Sequence, residues 1–461
     1  MLEQVRERLR NKFLRDTATL QAGSFLTAVG NFASAAALAF LLGPREQGRY
    51  YLAISLYSLL WLMMNQGFVG ATVSQVAAAN ARGLSRKIAG WLAYLAKAYL
   101  ALGLLLAVLG PLALPWIGAK VFDAPPESTK WALWLTITPF LEMPRVVVGA
   151  AFQGTRRMLH LTQVENSQEV ARVFLVVVGV LVLGTAEGAV LGMLLASLLS
   201  SIIGIEVYLL ARKENPAGLP SFREIAGLVR EVPLRSGLSL GTKLGFFRSV
   251  DAILREVLPS LLLNRYGTTE WVAYLRIAQR IFGAPLMFLQ GISRSALPAF
   301  SEIAGMKDFD RLRRTYWKTV LWSGTFISSG LVLAMLCVKP LVRATFPESY
   351  WMPVFQTCLV LLPGYLIVSF SIGSDTFYLV SDSLKAGVIL CILGFVVCAI
   401  AQIVLASQIP TTGAAWGLSF TLSVSVIHFA YAAWWFRHRR TPPPAEAAAE
   451  RSRVPPAASV G

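Results

Sequence analysis

Residues Ser236 to Leu263 read SGLSLGTKLGFFRSVDAILREVLPSLLL. The stretch is long and apolar enough to cross a bilayer, which takes about 20 residues. It nevertheless carries Lys243, Arg248, Asp251, Arg255 and Glu256. A charge at the centre of a membrane helix costs about 2.5–3.5 kcal/mol on insertion scales. These side chains are therefore expected to face a water-filled cavity or one another, not lipid, and the rest of the chain is expected to wall that cavity.

Outward from this stretch the chain keeps the same texture. Apolar runs fall at roughly 19–42, 50–72, 88–117, 130–153, 166–184 and 188–210 before it, and at roughly 270–299, 317–338, 352–379, 385–406 and 412–436 after it. With Ser236–Leu263 as the seventh, about twelve membrane-spanning helices are expected. The expected fold class is an all-α polytopic membrane protein. Its divisions are a basic N-terminus (1–17), a six-helix lobe (18–211), a cytoplasmic linker (212–235), a second six-helix lobe (236–436) and a disordered Pro/Ala-rich tail (437–461). The first apolar run is too long for a signal-peptide core of about 7–15 residues, so it is expected to stay as a helix.

Composition agrees. Of 461 residues 55% are hydrophobic and 15% charged, with a mean hydropathy of +0.59, values of a membrane protein. The net charge of +17 does not point to nucleic acid, because the basic residues sit in short loops between apolar runs. One set of loops holds Arg82, Arg86, Lys87, Arg156, Arg157, Arg212, Lys213, Arg223, Arg230, Arg235, Lys307, Arg311, Arg313, Arg314 and Lys385. The alternating set holds Arg45, Arg49, Lys120, Arg265, Lys339 and Arg343. The positive-inside rule then places both termini in the cytoplasm, and a bacterial cytoplasmic membrane is the expected location. Cys337, Cys358, Cys391 and Cys398 lie in apolar runs without a Cys-x-x-Cys pair, and the three histidines are scattered. No metal, cofactor or disulfide framework is expected, and no phosphate-binding loop marks an ATPase.

The two halves repeat one another. Gly43, Glu46 and Tyr50 recur as Gly267, Glu270 and Tyr274, 224 residues later, and Leu62-Met63-x-x-Gln66-Gly67 recurs at the same offset as Leu286-Met287-x-x-Gln290-Gly291. Gly188-Ala189-x-x-Gly192 returns 225 residues later as Gly413-Ala414-x-x-Gly417. With an even number of helices per half, the repeats are expected to be parallel, related by an axis along the membrane normal, with substrate between them near the midplane.

The order of several short motifs resembles the polysaccharide-biosynthesis flippases of the multidrug/oligosaccharidyl-lipid/polysaccharide superfamily. The residues are Leu42-Gly43-Pro44-x-x-x-Gly48-x-x-Tyr51, Gln66-Gly67-Phe68, Gly154-x-x-Arg157 and Gly188-Ala189-Val190-Leu191-Gly192, and the likeness runs over about residues 15–436. The resemblance implies two six-helix lobes around a cavity that opens alternately to each side. It also implies the cargo, a polyprenyl-pyrophosphate-linked oligosaccharide carried to the outer leaflet for a surface polysaccharide, with polymerase and export machinery as prospective partners. There is room for twelve helices, not the fourteen of lipid II flippases.

Charges inside the spans give the candidate site. Glu142 and Arg145, Glu169 and Arg172, and Asp251 and Arg255 are spaced three or four apart, which lets each pair neutralise itself on one helix face. Lys97 is expected to snorkel. Lys243, Arg248, Arg276 and Arg280 lack a local partner, and Arg248, Asp251 and Arg255 form one stripe. Lys243, Arg248, Arg255, Arg276 and Arg280 are the expected anion site, since arginine's planar fork grips two phosphate oxygens at once. The competing expectation for them is salt bridges across the lobes to Glu142, Glu206 or Asp375. Glu142, Asp251 and Asp375 are candidates for ion coupling or for pairing. Tyr50 and Tyr51 are expected in an interfacial aromatic belt. Asn31, Asn65 and Gln66 are candidates for sugar or interhelical hydrogen bonds. An acidic-cavity drug exporter of the same superfamily and a non-transporting scaffold are the alternatives. No loop concentrates the groups an enzyme needs.

Overall fold

The computed structural model describes residues 2–64, 67–214, 218–235, 249–305, 308–371 and 383–438, with positions 237, 377, 378 and 381. Every regular element among them is helical. Lys243, Arg248, Asp375, Asn65 and Gln66 lie outside the described residues.

The first long helical run, Leu2–Met64, breaks at Gly43, whose φ of 71° and ψ of 174° are not helical. Twelve residues along a straight helix span about 18 Å, yet the Gln47 Nε2 donates to the Ala35 carbonyl at 2.8 Å. The chain therefore doubles back at Gly43, and glycine is the residue that takes this backbone turn without a Cβ penalty. Its two arms, 25–42 and 44–64, overlap the first two expected spans, 19–42 and 50–72, the second arm starting and ending earlier than expected and a separate helix following at Phe68–Ala81. Eight helices are long and apolar enough to cross a membrane, or nine with the pair Pro126–Leu135 and Thr138–Gly154, bent by 40°, taken as one. This is fewer than twelve for physical reasons. The two arms count as one helix, and the charges of Thr269–Gly305 lower its hydropathy. The seventh span is described only from Ser249.

The repeat recurs in the packing. Helices Met158–Leu183 and Ala186–Glu214 pair so closely that a Cβ on Gly188 would overlap the Gly179 carbonyl. In the second half Leu384–Gln408 pairs with Gly413–Ser423, and a Cβ on Gly413 would overlap the Leu405 carbonyl. The same glycine allows the same helix contact in both halves.

The buried side chains form a forked core. One cluster joins the halves, with Leu38, Tyr51, Leu56 and Val190 packed with Leu261, Ile277, Phe282 and Tyr350. Its helices end in the turns at Gly43, 122–125, Gly184, Gly267 and Phe346, the basic-poor loops. At the other end the core divides. Phe68, Leu92, Phe152 and Tyr208 form a cluster within the first half, and Phe300, Tyr316, Phe377 and Trp435 form another within the second. These lie beside the basic loops. Among the described residues, buried apolar side chains thus join the halves at the basic-poor end and form separate clusters toward the basic end.

The connection between them is fastened to the first half. Helix Phe222–Leu228 opens with a capping box of Ser221 and Glu224. The Lys97 Nζ reaches this connection, donating to the Arg230 carbonyl at 3.3 Å and the Val232 carbonyl at 2.8 Å. Tyr208 donates its hydroxyl to Pro220 at 2.8 Å.

Candidate functional site

Where the core divides, helices from both halves bring polar side chains to one depth. Asn31 stands twelve residues before Gly43, Arg172 twelve before Gly184, Arg255 twelve before Gly267 and Arg280 thirteen after it. At 1.5 Å per residue each lies about 18–20 Å from the sealed end, inside a hydrocarbon core about 30 Å thick.

Arg280 reaches across from the second half. It donates through Nη1 to the Asn31 carbonyl at 2.5 Å, and its guanidinium lies 5.2 Å from the Tyr51 ring centre. Arg172 donates to the Asn31 side-chain oxygen at 2.5 Å and also ion-pairs with Glu169. Asn31 therefore holds an arginine from each half. Arg276, one turn before Arg280, donates through Nη2 to the Ser55 hydroxyl at 2.9 Å, while its Nε is buried without a partner. The Tyr51 hydroxyl is buried without one as well. Among the described residues neither Arg276 nor Arg280 makes an ion pair, and bridges to Glu142 or Glu206 do not form. Glu256 acts on Arg276 electrostatically but beyond ion-pair distance; a guanidinium without a direct counter-ion at this depth is costly, and a bound anion would relieve that cost.

Arg255 enters from the seventh helix, where Ile253–Val257 forms a wider π turn. Pro259 has no N–H to return to the Arg255 carbonyl four residues back, and the Gln279 Nε2 donates to that carbonyl at 2.8 Å. Gln402 donates to the neighbouring Leu254 carbonyl at 2.8 Å. Gln279 lies between Arg276 and Arg280 in sequence, so the irregular turn is tied to the helix that carries both arginines. The Arg255 guanidinium stands 2.5 Å from Asp251, with the pair about half exposed.

Glu142 is placed elsewhere, inside the first half. It pairs with Arg145 at 3.3 Å and accepts from Gln168 at 3.2 Å and Ser197 at 3.1 Å. Three helices are joined through this one carboxylate. Arg172 and Tyr51 were absent from the expected anion site. Arg172 reads as neutralised by Glu169 within its own helix. Tyr50 and Tyr51 read as interfacial, yet each is only 3% exposed. The polar Asn31 at the midpoint of an apolar run was the available signal for both.

The fold is that of known transporters. An inward-facing multidrug resistance MATE family transporter of the MOP superfamily superposes with a TM-score of 0.64 at 15% identity, over 95% of this chain and 96% of that one. The MATE multidrug transporter DinF-BH, in complex with R6G, gives 0.66 at 14% identity over 94% and 96%. A MOP superfamily transporter from Pyrococcus furiosus, whose reverse pocket polarity suggests a different function, gives 0.64 at 15% over 92% and 95%. No curated protein matches in sequence. The fold class expected from the sequence is thus present, an all-α, multi-pass membrane protein, and family and fold make it a transporter rather than an enzyme. The model of the family described as polysaccharide biosynthesis protein matches residues 13–304, and the chain belongs to that family.

Proposed function

We propose that this transporter moves a polyprenyl-pyrophosphate-linked oligosaccharide from the inner to the outer leaflet of a bacterial cytoplasmic membrane by alternating access, with both termini cytoplasmic. One observation carries the reading. Arg172, Arg276 and Arg280 gather where the core divides, and among the described residues Arg276 and Arg280 make no direct ion pair, Glu256 acting on Arg276 only from a longer distance. A pyrophosphate supplies the missing negative charge and enough acceptor oxygens to serve several guanidinium forks. Arg255 borders the same region, and on this reading Lys243 and Arg248 belong to the same basic set. On the positive-inside rule the basic loops, and with them the divided end of the core, face the cytoplasm; on this reading the site opens toward the leaflet where lipid-linked sugars are assembled. Asp251 and Asp375 are the carboxylates available for ion coupling on this reading, and Glu142 serves as a structural pair.

The test uses a strain lacking the gene, complemented with wild type, Arg276→Ala or Arg280→Ala. Polyprenyl-linked glycans are extracted and weighed by mass spectrometry. The expected result is accumulation of one glycan-pyrophosphate lipid in the deletion strain and in both variants, with the variant proteins present in the membrane at wild-type levels. Clearance of that lipid by both variants refutes the anion site. No accumulation in the deletion strain, with new sensitivity to cationic dyes, favours a drug exporter.

A further inference from the structure

A cavity of about 450 Å³ lies between arm 25–42 and helix Met158–Leu183, lined by Leu26, Gly30, Val173, Val177, Leu181 and Glu169. Every one of these is apolar except Glu169. The walls are open: Leu26 is 46% exposed and Leu181 62%, on helices whose outer faces meet lipid. From Glu169 to Leu181 the groove runs along twelve residues of helix, about 18 Å. The two helices approach closely at its middle, where a Cβ on Gly30 would stand 3.3 Å from Val173.

The position of Glu169 sets this groove apart from ordinary lipid-facing relief. Its carboxylate pairs with Arg172, Arg172 donates to the Asn31 side chain, and the Asn31 carbonyl accepts from Arg280 in the cleft. An unbroken polar path thus joins a lipid-facing apolar groove to the cationic apex, passing between two helices of one half. A ligand matching both ends would have a long apolar chain and an anionic head at the chain's end.

We propose that this groove seats the isoprenoid chain of the substrate, with the phosphate nearest the chain at Arg172. The inference rests on the flippase reading and adds to it a chain-binding subsite on one helix pair. The lining supports it: apart from Glu169 the groove offers only Gly30, valines, leucines and Phe174, which suit an apolar chain. The incoming phosphate competes with Glu169 for Arg172, so loading also loosens the hold of Arg172 on Asn31.

The test compares Val170→Trp and Val177→Trp, which fill the groove, with Ile392→Trp on the exposed face of helix Leu384–Gln408. Val170 is 56% exposed, so tryptophan enters there without displacing core, and Ile392 is 46% exposed. Full-length protein in phosphatidylcholine nanodiscs is titrated with undecaprenyl phosphate, with inorganic pyrophosphate and with phosphatidylglycerol. The expected result is undecaprenyl phosphate binding at least tenfold weaker in both groove variants, pyrophosphate binding unchanged, and Ile392→Trp equal to wild type. Unchanged undecaprenyl phosphate binding in the folded Val170→Trp protein overturns the proposal. So does an equal loss of phosphatidylglycerol binding, which would make the groove a general lipid seat. If wild type fails to bind pyrophosphate while the groove variants still lose undecaprenyl phosphate, the anion site falls and the groove stands.

Discussion

Replacing Asn264 with alanine should loosen the sealed end of the molecule. The Asn264 amide donates across the halves to the Phe122 carbonyl at 2.9 Å and the Asp123 carbonyl at 3.0 Å. Its oxygen accepts from Thr269 at 2.9 Å, but that bond lies within the second half and is unaffected by parting. Two of Asn264's hydrogen bonds are therefore lost on parting, while the Arg265–Asp123 ion pair and the Tyr350 hydroxyl donating to Gln47, which also cross the halves here, stay in the variant. Each lost bond is worth about 0.5–1.5 kcal/mol net. Water can reach the freed carbonyls at this edge, so the larger penalty for a buried orphan does not apply. The loss is about 2 kcal/mol, or about 30-fold in the equilibrium between the two states. If the parted state is about 1% of wild type, it rises to about 20% in the variant. Spin labels at Glu127→Cys and Ser349→Cys, both exposed beside this seam, report the change by pulsed electron paramagnetic resonance. The background carries Cys337→Ser and Cys391→Ser, since those thiols are accessible while Cys358 and Cys398 are buried. A longer-distance population that grows by less than twofold would refute the assignment of Asn264 as a clamp between halves.

Two further expectations concern side chains inside the bundle. Glu142→Gln removes the charge opposite Arg145 but keeps the shape that meets Gln168 and Ser197. It should cost about 1–3 kcal/mol, discounted for partial exposure, and lower the unfolding temperature while glycan-lipid clearance persists; loss of clearance in folded protein would instead make Glu142 a coupling group. Gln279→Leu strips the Arg255 carbonyl of its side-chain donor. A cost of about 1–3 kcal/mol is expected in thermal unfolding, and Pro259→Ala in the same protein should recover part of it by restoring a backbone N–H; a variant as stable as wild type would show that the π turn does not depend on Gln279.

Much of the fold was legible because the signals are local. Gly43-Pro44 and Gly267 mark turns through backbone geometry, and twenty-residue apolar runs mark helices whatever they pack against. The forked core was not legible, since periodicity tells which face of a helix is apolar but not which helix covers it. Tyr51 shows this: an aromatic near a span end looks interfacial until helix Thr269–Gly305 is laid over it. Arg172 shows the converse. Its i,i+3 spacing with Glu169 is read correctly, yet the pair does not exhaust a guanidinium with five donors, and the second partner lies 141 residues away at Asn31. Arg276 and Arg280 stand out in the sequence because nothing within their own helix answers their charge.

The helices that seal the two halves, arm 44–64 and Thr269–Gly305, are themselves the repeated element, so the seam resembles the two-fold interface of an ancestral homodimer. Such a dimer would have presented two equal faces to its cleft. At the 224-residue offset the counterparts of Arg276 and Arg280 are Leu52 and Leu56, both fully buried in the shared core. Within the seam helices, then, the first half carries leucine where the second carries arginine. The two faces of the seam are accordingly unequal, so an anion held there, as proposed above, would meet a different surface on each side.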